Sequence, residues 1–278
     1  MSKKTPLVSV IITTKNEESV LERLLISIKN QTYKNTEIII VDNSSNDATK
    51  HIAQKYTKKV FNKGPERSAQ RNFGAKKARG SYCLFLDADM KLSKNVISEC
   101  VSLAESDKDI GAIVIPEESI TSNYWERVKA FERSFYTSEG DVSVEAARFF
   151  IKTAFFKVGG YDEAITGPED WDLPESIKKK GFKQKRIKAI ISHFERIPNP
   201  FYIAEKKYYY ALRSHRYIKK QDISTIGPKT VYFLRSTFYK NWRRILSNPK
   251  LSLGMFLMLS LELGYGGIGY FWGKLANK

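Results

Sequence analysis

The chain has 278 residues, of which 42% are hydrophobic, and a formal net charge of +17. This length suits one large domain, or one domain with an appendage. The two cysteines, Cys83 and Cys100, form no CxxC pair, which argues against a disulfide framework and a structural zinc site and favours a reducing compartment. Residues 1–6 have no apolar targeting segment, so we do not expect secretion.

Strand and helix patterns alternate through the first 120 residues. Asn16 and Ser93 are expected to cap two of the helices. The alternation predicts a mostly parallel sheet with helices on both faces. Apolar runs of the kind that form buried strands occur at residues 7–12, 38–41, 60–61, 82–86 and 112–115.

After residue 120 the pattern is less regular. Residues 125–135 and 170–180 have helical spacing, and Gly181 is expected to end the second helix. A strand is predicted at 148–151 and a final one at 185–191.

Two prolines, Pro198 and Pro200, mark a boundary near the end of this pattern. We therefore predict one domain over residues 1–198 and a separate C-terminal region over residues 199–278.

Three polar loops directly follow predicted strands, at residues 13–17, 42–47 and 87–89. The carboxyl ends of parallel strands share one edge, where open α/β sheets bind ligands. Asp87 and Asp89 would repel each other there unless a cation compensates, and carboxylate oxygens suit Mg²⁺ or Mn²⁺. The alternatives are a solvated turn for this pair and a helix cap for 42–47.

Two arginines, Arg67 and Arg71, lie four residues apart on one face of a predicted helix. Two guanidinium groups so placed could hold a diphosphate. A solvated basic face is the alternative.

Six segments together resemble the family 2 nucleotide-sugar glycosyltransferases, in that family's order and over roughly residues 6–195. The resemblance implies a GT-A fold, a Rossmann-like, mostly parallel sheet flanked by helices. Its nucleotide-binding half would cover about residues 1–118 and its acceptor half about residues 119–198. The segments are residues 7–17, 41–47, 67–74, 87–89, 159–162 and 167–173.

The activity implied by the resemblance is metal-dependent, inverting transfer of a sugar from a UDP- or GDP-sugar to a hydroxyl of a glycan or lipid-linked acceptor. Mn²⁺ or Mg²⁺ would be the cofactor. Asp42 would contact the base and Asp87 would lie near the ribose. The full set of donor-binding residues implied is Thr13, Glu17, Asp42, Arg71 and Asp87.

The resemblance also implies roles for the remaining site residues. Asp89 would bind the metal, His193 would contact the metal or diphosphate, and Asp170 would be the general base. Acids favour helix N-termini, so Asp170 could instead be a cap, and His193 could be hydrogen-bonded structure. The residues implied on the acceptor side are Gly160, Glu169 and Trp171.

Two other classes of function use a similar fold. A non-catalytic nucleotide-sugar scaffold would not need Asp87, Asp89 and Asp170 together. A nucleotidyltransferase would typically show a glycine-rich loop with Lys or Arg after the first strand, where this chain has residues 13–16, Thr-Thr-Lys-Asn.

The C-terminal region is basic, aromatic and finally apolar. Residues 201–278 hold 14 Lys and Arg against three acids, a net charge of +11. Basic and aromatic residues that flank an apolar segment suit a membrane interface. A nucleic acid would not need the apolar segment, so we expect an anionic membrane surface and no nucleic acid as partner.

The apolar segment, residues 251–272, is interrupted by Glu262 and by several glycines. A charge at mid-membrane is costly and glycine weakens helices. We therefore expect one or two amphipathic or re-entrant helices on the cytoplasmic face of the cell membrane. A transmembrane helix, or helices that pack on the catalytic domain, are the alternatives.

Overall fold

A computed structural model describes residues 5–137, 146–228 and 230–276, so most of the N-terminal segment 1–6 lies outside the described residues. The chain divides into two compact units. The first comprises Met1–Glu118, Glu145–Glu163 and Leu173–Phe194, and the second comprises Ser119–Val144, Ala164–Asp172 and Glu195–Lys278.

The first unit is built on a seven-stranded sheet. Its strands are β1 (Val8–Thr14), β2 (Thr36–Asp42), β3 (Val60–Asn62), β4 (Tyr82–Asp87), β6 (Ile110–Val114), β8 (Ala147–Ile151) and β9 (Lys183–Arg186). They are ordered β3-β2-β1-β4-β8-β6-β9. All neighbouring pairs are parallel except those of β8, which is antiparallel to β4 and β6. The predicted mostly parallel sheet is confirmed.

Helices cover both faces of this sheet, as predicted. Val10 and Ile12 of β1 point into a core shared with α1 (Leu21–Lys29) and α4 (Val96–Ser106). On the other side, a Cβ on Gly74 of α3 (Arg67–Lys77) would lie only 2.4 Å from Ile11 Cγ2. Successive side chains of a strand point to opposite faces, so α3 lies on the other side. The helices are α1 (Leu21–Lys29), α2 (Thr49–Gln54), α3 (Arg67–Lys77), α4 (Val96–Ser106), α6 (Lys152–Lys157) and α7 (Glu169–Lys179), of which α7 begins in the second unit.

A second, three-stranded sheet has the order β5-β10-β7, with β5 at Met90–Leu92, β7 at Glu117–Ile120 and β10 at Ile191–Phe194. The prediction of one strand over residues 185–191 is therefore wrong. The backbone amides of Lys188 and Ala189 donate to Glu99 Oε2 at 3.0 and 2.9 Å. Because a side chain takes these donors, the ladder stops after β9 and the chain enters another sheet as β10.

Neither predicted cap begins a helix. Asn16 has a left-handed backbone (φ 54°), its Oδ1 accepts from the Asn46 amide at 3.1 Å, and α1 starts at Leu21. The Ser93 hydroxyl accepts from the Ile190 amide at 3.1 Å, and α4 follows Asn95. Asn and Ser side chains bond backbone groups in loops as readily as at caps, and here they tie distant loops together.

The second unit is mostly helical in the part that the structure describes. Its helices are α5 (Tyr124–Thr137), α8 (Pro200–Ala211), α9 (Ser214–Lys220), α10 (Ser236–Lys240), α11 (Trp242–Ser247) and α12 (Pro249–Ala276). They enclose a separate apolar core composed of Val128, Phe131, Phe135, Tyr232, Phe238, Met255, Met258 and Leu259.

The last helix, α12, runs without a break for 28 residues. The expectation that its glycines would interrupt the helix is therefore wrong. Two of its glycines, Gly269 and Gly273, allow close packing instead. A Cβ on Gly269 would lie 2.4 Å from the carbonyl oxygen of Tyr208, and one on Gly273 would lie 1.9 Å from that of Leu212. Glycine allows this close approach of two backbones, and it brings α12 against α8.

An ion-pair cluster ties the middle of α12 to α5. The ammonium group of Lys129 lies 2.8 Å from Glu132 Oε2 and 3.1 Å from Glu262 Oε1. Burial favours the neutral amine, but the two carboxylates outweigh it and raise the pKa of Lys129. Glu262, an isolated charge in the sequence, is thus buried with a partner, as buried charges require.

The packing of α12 on α8 predicts opposite effects for one substitution at two glycines. Gly273→Ala should lower the free energy of unfolding by about 1–3 kcal/mol, because the new methyl group overlaps the α8 backbone. Gly264→Ala should raise it by about 0.8–1 kcal/mol, since a Cβ there meets nothing within 4 Å and alanine is the better helix former. Urea unfolding of both variants is the measurement, and changes of the same sign would contradict the packing.

Candidate functional site

The three predicted polar loops meet at the carboxyl edge of the large sheet. In the parallel register, Thr14 of β1 lies opposite Asp42 of β2, and Thr13 lies opposite Asp87 of β4. Thr13 is buried, and Glu17 is half-buried with its backbone amide donating to Thr49 Oγ1 at 2.7 Å. The predicted donor-binding residues are therefore gathered on one edge of the first unit.

Asp42 is fully buried and both of its carboxylate oxygens accept hydrogen bonds from the loops. Thr14 Oγ1 donates to Oδ1 at 2.8 Å, and Ser45 donates through its hydroxyl to Oδ1 at 2.6 Å and through its amide to Oδ2 at 2.7 Å. Asp42 therefore orders two loops, and its contact with a nucleotide base stays a prediction.

Asp87 lies between two arginines. Arg71 Nη2 donates to Oδ1 at 3.0 Å and Arg148 Nη1 donates to Oδ2 at 3.2 Å. Burial disfavours the ionised carboxylate, but the charges of Arg71 and Arg148 outweigh it and hold the pKa of Asp87 well below its usual range. Because Arg71 is fully buried, its guanidinium is committed to Asp87 rather than to an exposed helix face.

Arg148 continues the network to Glu117 and His193. Its Nε donates to Glu117 Oε1, and Glu117 Oε2 lies 3.1 Å from His193 Nδ1. Burial opposes the charge of Glu117, yet Arg148 and His193 lower the pKa of its carboxyl. An ionised carboxylate can only accept, so His193 Nδ1 is the donor. His193 Nε2 then faces Asp89 Oδ1, 3.5 Å away.

Asp89 Oδ1 and His193 Nε2, 3.5 Å apart, are two groups of the kinds that bind divalent cations. The pairing of β5 with β10 puts His193 opposite Met90, next to Asp89. Within the described ranges, no group of three or more His, Cys, Asp or Glu side chains could hold a metal. Mg²⁺ and its relatives commonly take one or two protein ligands plus phosphate oxygens and water, which is the arrangement that two residues would support.

The loop predicted on the acceptor side is held by Asn72. Asn72 Oδ1 accepts from the Tyr161 amide at 2.9 Å, and its Nδ2 donates to the Tyr161 carbonyl at 2.8 Å. Gly160 has φ +77° and a Cβ there would lie 2.6 Å from Asn72 Oδ1, so only glycine suits the position. Arg71 and Asn72 thus anchor two different parts of the site from adjacent positions of α3.

The predicted base, Asp170, lies in the second unit on the first turn of α7. Glu169 and Asp172 are buried, whereas Asp170 and Trp171 are half-buried. Asp172 accepts from Lys220 Nζ at 2.8 Å and from Gln221 Nε2 at 2.7 Å. Of the three acids on this turn, Asp170 is the one that the structure leaves most accessible.

Two residues of the site, Glu117 and Arg148, were missed by sequence reasoning. Glu117 comes just after the predicted strand at 112–115, as Asp87 comes after the strand at 82–86. That position is the sequence signal that could have identified Glu117 as a site residue. Arg148 opens an otherwise apolar strand, where a charge is rare unless it is paired. Their partners lie far away in the sequence, so the pairing itself had no local signal.

A family model described as glycosyl transferase family 2 matches residues 9–159. An uncharacterized glycosyltransferase of Methanocaldococcus jannaschii is 29% identical over 256 residues, covering 84% of this chain and 86% of that protein. Poly(ribitol-phosphate) β-N-acetylglucosaminyltransferase TarS of Staphylococcus aureus is 25% identical over 77% of this chain but only 38% of its own length. A Campylobacter jejuni GalNAc(5)-diNAcBac-PP-undecaprenol β-1,3-glucosyltransferase is 33% identical over 36% of this chain and 35% of its own.

Solved structures share the fold at low sequence identity. A mannosyltransferase from Pyrobaculum calidifontis, in complex with GDP-Man and Mn²⁺, superposes with a TM-score of 0.64 at 14% identity, covering 98% of this chain and 89% of that one. Staphylococcus aureus TarS residues 1–349, in complex with UDP-GlcNAc, gives 0.55 at 16% identity, covering 97% and 90%. The sheet order and flanking helices described above are thus those of the GT-A fold.

The pairing of Arg148 with two acids predicts a large stability effect. Arg148→Met should lower the free energy of unfolding by about 3 kcal/mol, because Asp87 and Glu117 both lose a buried cation. Lys183→Met is the matched control. It also removes a cation that contacts two acids, but at a half-exposed surface position, so about 0–1 kcal/mol is expected. Both variants are unfolded in urea. An equal loss of free energy of unfolding in Arg148→Met and Lys183→Met would contradict the network.

Proposed function

Because the chain belongs to glycosyltransferase family 2, we propose that it transfers a sugar, with inversion, from a nucleotide-sugar donor to a hydroxyl of a glycan or lipid-linked acceptor. The main support is the network from Arg71 through Asp87, Arg148 and Glu117 to His193 at the carboxyl edge of the sheet. Structures with this fold hold GDP-Man or UDP-GlcNAc, which favours a GDP- or UDP-sugar as donor.

The donor diphosphate requires charge compensation, and Asp89 with His193 are the residues that would hold Mn²⁺ or Mg²⁺ for this purpose. A bound divalent cation stabilises the charge that develops on the departing diphosphate. Glu117 supports the choice of His193, since a hydrogen bond to Nδ1 fixes the tautomer that presents Nε2. The Mn²⁺ in the Pyrobaculum structure is consistent with such a site.

The transfer step requires a base for the acceptor. The acceptor oxygen forms a bond to the anomeric carbon as the bond from that carbon to the diphosphate oxygen breaks, and the bonding pair leaves with the diphosphate. The acceptor's proton passes to a carboxylate, and we assign that role to Asp170. Its exposure supports the assignment, because Asp170 is half-buried whereas Glu169 and Asp172 are buried.

An anionic membrane surface is the partner that the helical unit favours. The basic residues of 201–278 supply charge, each worth about 1 kcal/mol close to an anionic surface. One face of α12 exposes apolar side chains along its whole length, with Trp272 near its end. The exposed large residues of α12 are Leu253, Phe256, Leu257, Leu263, Ile268, Phe271, Trp272 and Leu275.

By length and composition α12 could cross a membrane, with a mean hydropathy of 1.4 over its most apolar window. Its contacts favour an orientation in the plane of the surface. The Glu262 side chain pairs with Lys129 of α5 at the middle of the helix, and α8, which carries Lys206 and Lys207, packs along its later half. A spanning α12 would draw these charges into hydrocarbon, at a cost of a few kcal/mol each.

Asp89→Ala should abolish the effect of metal on nucleotide binding. We expect Mn²⁺ to tighten GDP or UDP binding at least about tenfold in the wild type and not in the variant, since the cation loses an anionic ligand. Asp109→Ala, an exposed acid of the same unit with a lysine partner, is the control that should keep the effect. The measurement is titration calorimetry of nucleotide binding with and without Mn²⁺. If the wild type binds the nucleotide equally well in both conditions, the metal site is refuted.

Asp170→Asn should keep donor binding and lose transfer by about 10²- to 10⁴-fold, because the amide is nearly the same shape but cannot accept a proton. The assay measures release of GDP or UDP from a panel of GDP- and UDP-sugars. Glu175→Gln, one turn further along α7, should stay near the wild-type rate. Transfer within a few-fold of wild type would place the base elsewhere, and release of pyrophosphate would indicate a nucleotidyltransferase.

Membrane binding should depend on the exposed face of α12. The full chain should float with vesicles that contain phosphatidylserine, partly survive high salt because of apolar burial, and be released by alkaline carbonate as an in-plane helix is. Leu257→Glu with Phe271→Glu should prevent flotation. The control variant, Ile26→Glu with Ile226→Glu, makes the same change at exposed positions outside α12. It should still float. A full chain that never floats would remove the membrane from this proposal.

A further inference from the structure

The segment that carries Asp170, a loop that ends in the first turn of α7, is held by the C-terminal helices. Residues Ala164–Asp172 form one compact unit with Glu195–Lys278. At the end of the loop, Lys220 Nζ donates to Asp172 Oδ2 at 2.8 Å, while Gln221 Nε2 donates to Oδ1 at 2.7 Å and to the Asp172 carbonyl at 3.4 Å. Asp172 is 1% exposed, so these protein donors replace the water that its carboxylate would otherwise bind.

The earlier part of the same loop is attached to the same helices. Arg216 Nη1 donates to the Ala164 carbonyl at 3.1 Å, and Arg213 Nη1 donates to Thr166 Oγ1 at 3.4 Å. Gly167 has φ +99°, and a Cβ there would lie 2.5 Å from Tyr210 Cβ. Contacts from α8, α9 and Gln221 therefore fix the loop at its start, at its glycine and at its end.

The attachment at Asp172 controls where Asp170 lies. The two residues share the first turn of α7, and in an α-helix they are separated by only about 3 Å along the axis. Fixing both oxygens of Asp172 fixes that turn, and with it the direction in which Asp170 projects. If one donor were removed, a buried carboxylate would be left poorly satisfied and the turn would shift to reach water.

We propose that Lys220 and Gln221 are positioning residues for the transfer step, acting through Asp172 on Asp170. This inference rests on the proposed role of Asp170 as general base. It gives two residues of the C-terminal region a part in positioning the base, in addition to the proposed contact of that region with a membrane.

Lys220→Met in the full chain tests the proposal. The rate constant kcat for release of GDP or UDP from the active sugar donor should fall about 10- to 100-fold, the loss expected for a reacting group displaced by about 1 Å. Donor KM and nucleotide affinity should change less than twofold, because donor-binding residues are untouched. Lys220→Arg should recover most of kcat, since a guanidinium can still donate to Asp172.

The matched control is Lys219→Met, which removes the same charge from the adjacent, exposed position of α9 and should leave kcat unchanged. Circular dichroism checks that Lys220→Met is folded. If it is not, Gln221→Ala is a second, independent variant that should also lower kcat. In an Asp172→Asn background, Lys220→Met should have little further effect, because the charge through which Lys220 acts is gone.

Two results would overturn the proposal: a kcat for Lys220→Met no lower than that for Lys219→Met, or a parallel loss of nucleotide binding. The base assignment is tested separately by Asp170→Asn. If Asp170→Asn is inactive and Lys220→Met is fully active, only the positioning role fails. If Asp170→Asn remains active, the base assignment fails and the positioning role fails with it.

Discussion

The requirement that a buried charge be matched by an opposite charge or by hydrogen-bond donors governs the site. Asp87 ends a strand where a lone carboxylate would be costly, and Arg71 and Arg148 make its ionised form favourable. Arg148 then serves Glu117, and Glu117 orients His193. Such a chain of paired charges is rigid, because each member loses its partner if it moves. The residues that would face a donor diphosphate are therefore held before any donor arrives.

The same requirement explains the helical unit. Lys129 lies between Glu132 and Glu262, so the one acid of α12 points inward, while one face of the helix keeps apolar side chains exposed. A helix that buries its charge and exposes its leucines differs from a surface helix of a soluble protein. The glycines contribute by permitting close contact with α8 on the inner side. Composition alone cannot separate this arrangement from a transmembrane segment, because both have the same apolar content.

Several residues have a role in the structure that differs from the role their residue type predicted. Asn16 and Ser93 were expected to cap helices, and each instead binds the backbone of a loop that is distant in sequence. The glycines of α12 were expected to break a helix, and Gly269 instead lets α12 pack closely on α8. Local propensity describes what a residue can do alone, and tertiary contacts decide which of its options is used.

The sequence by itself determined the alternation of strands and helices, the mostly parallel sheet and the edge at which Asp42, Asp87 and Asp89 gather. These follow from periodicity and from strands ending in polar residues, which are local properties. Tertiary structure decided that Arg148 and Glu117 join the site and that β10 brings His193 beside Asp89. It also decided that Lys220 of α9 donates a hydrogen bond to Asp172. These contacts join residues that are 31 to 104 positions apart, and only the folded chain brings such partners within reach.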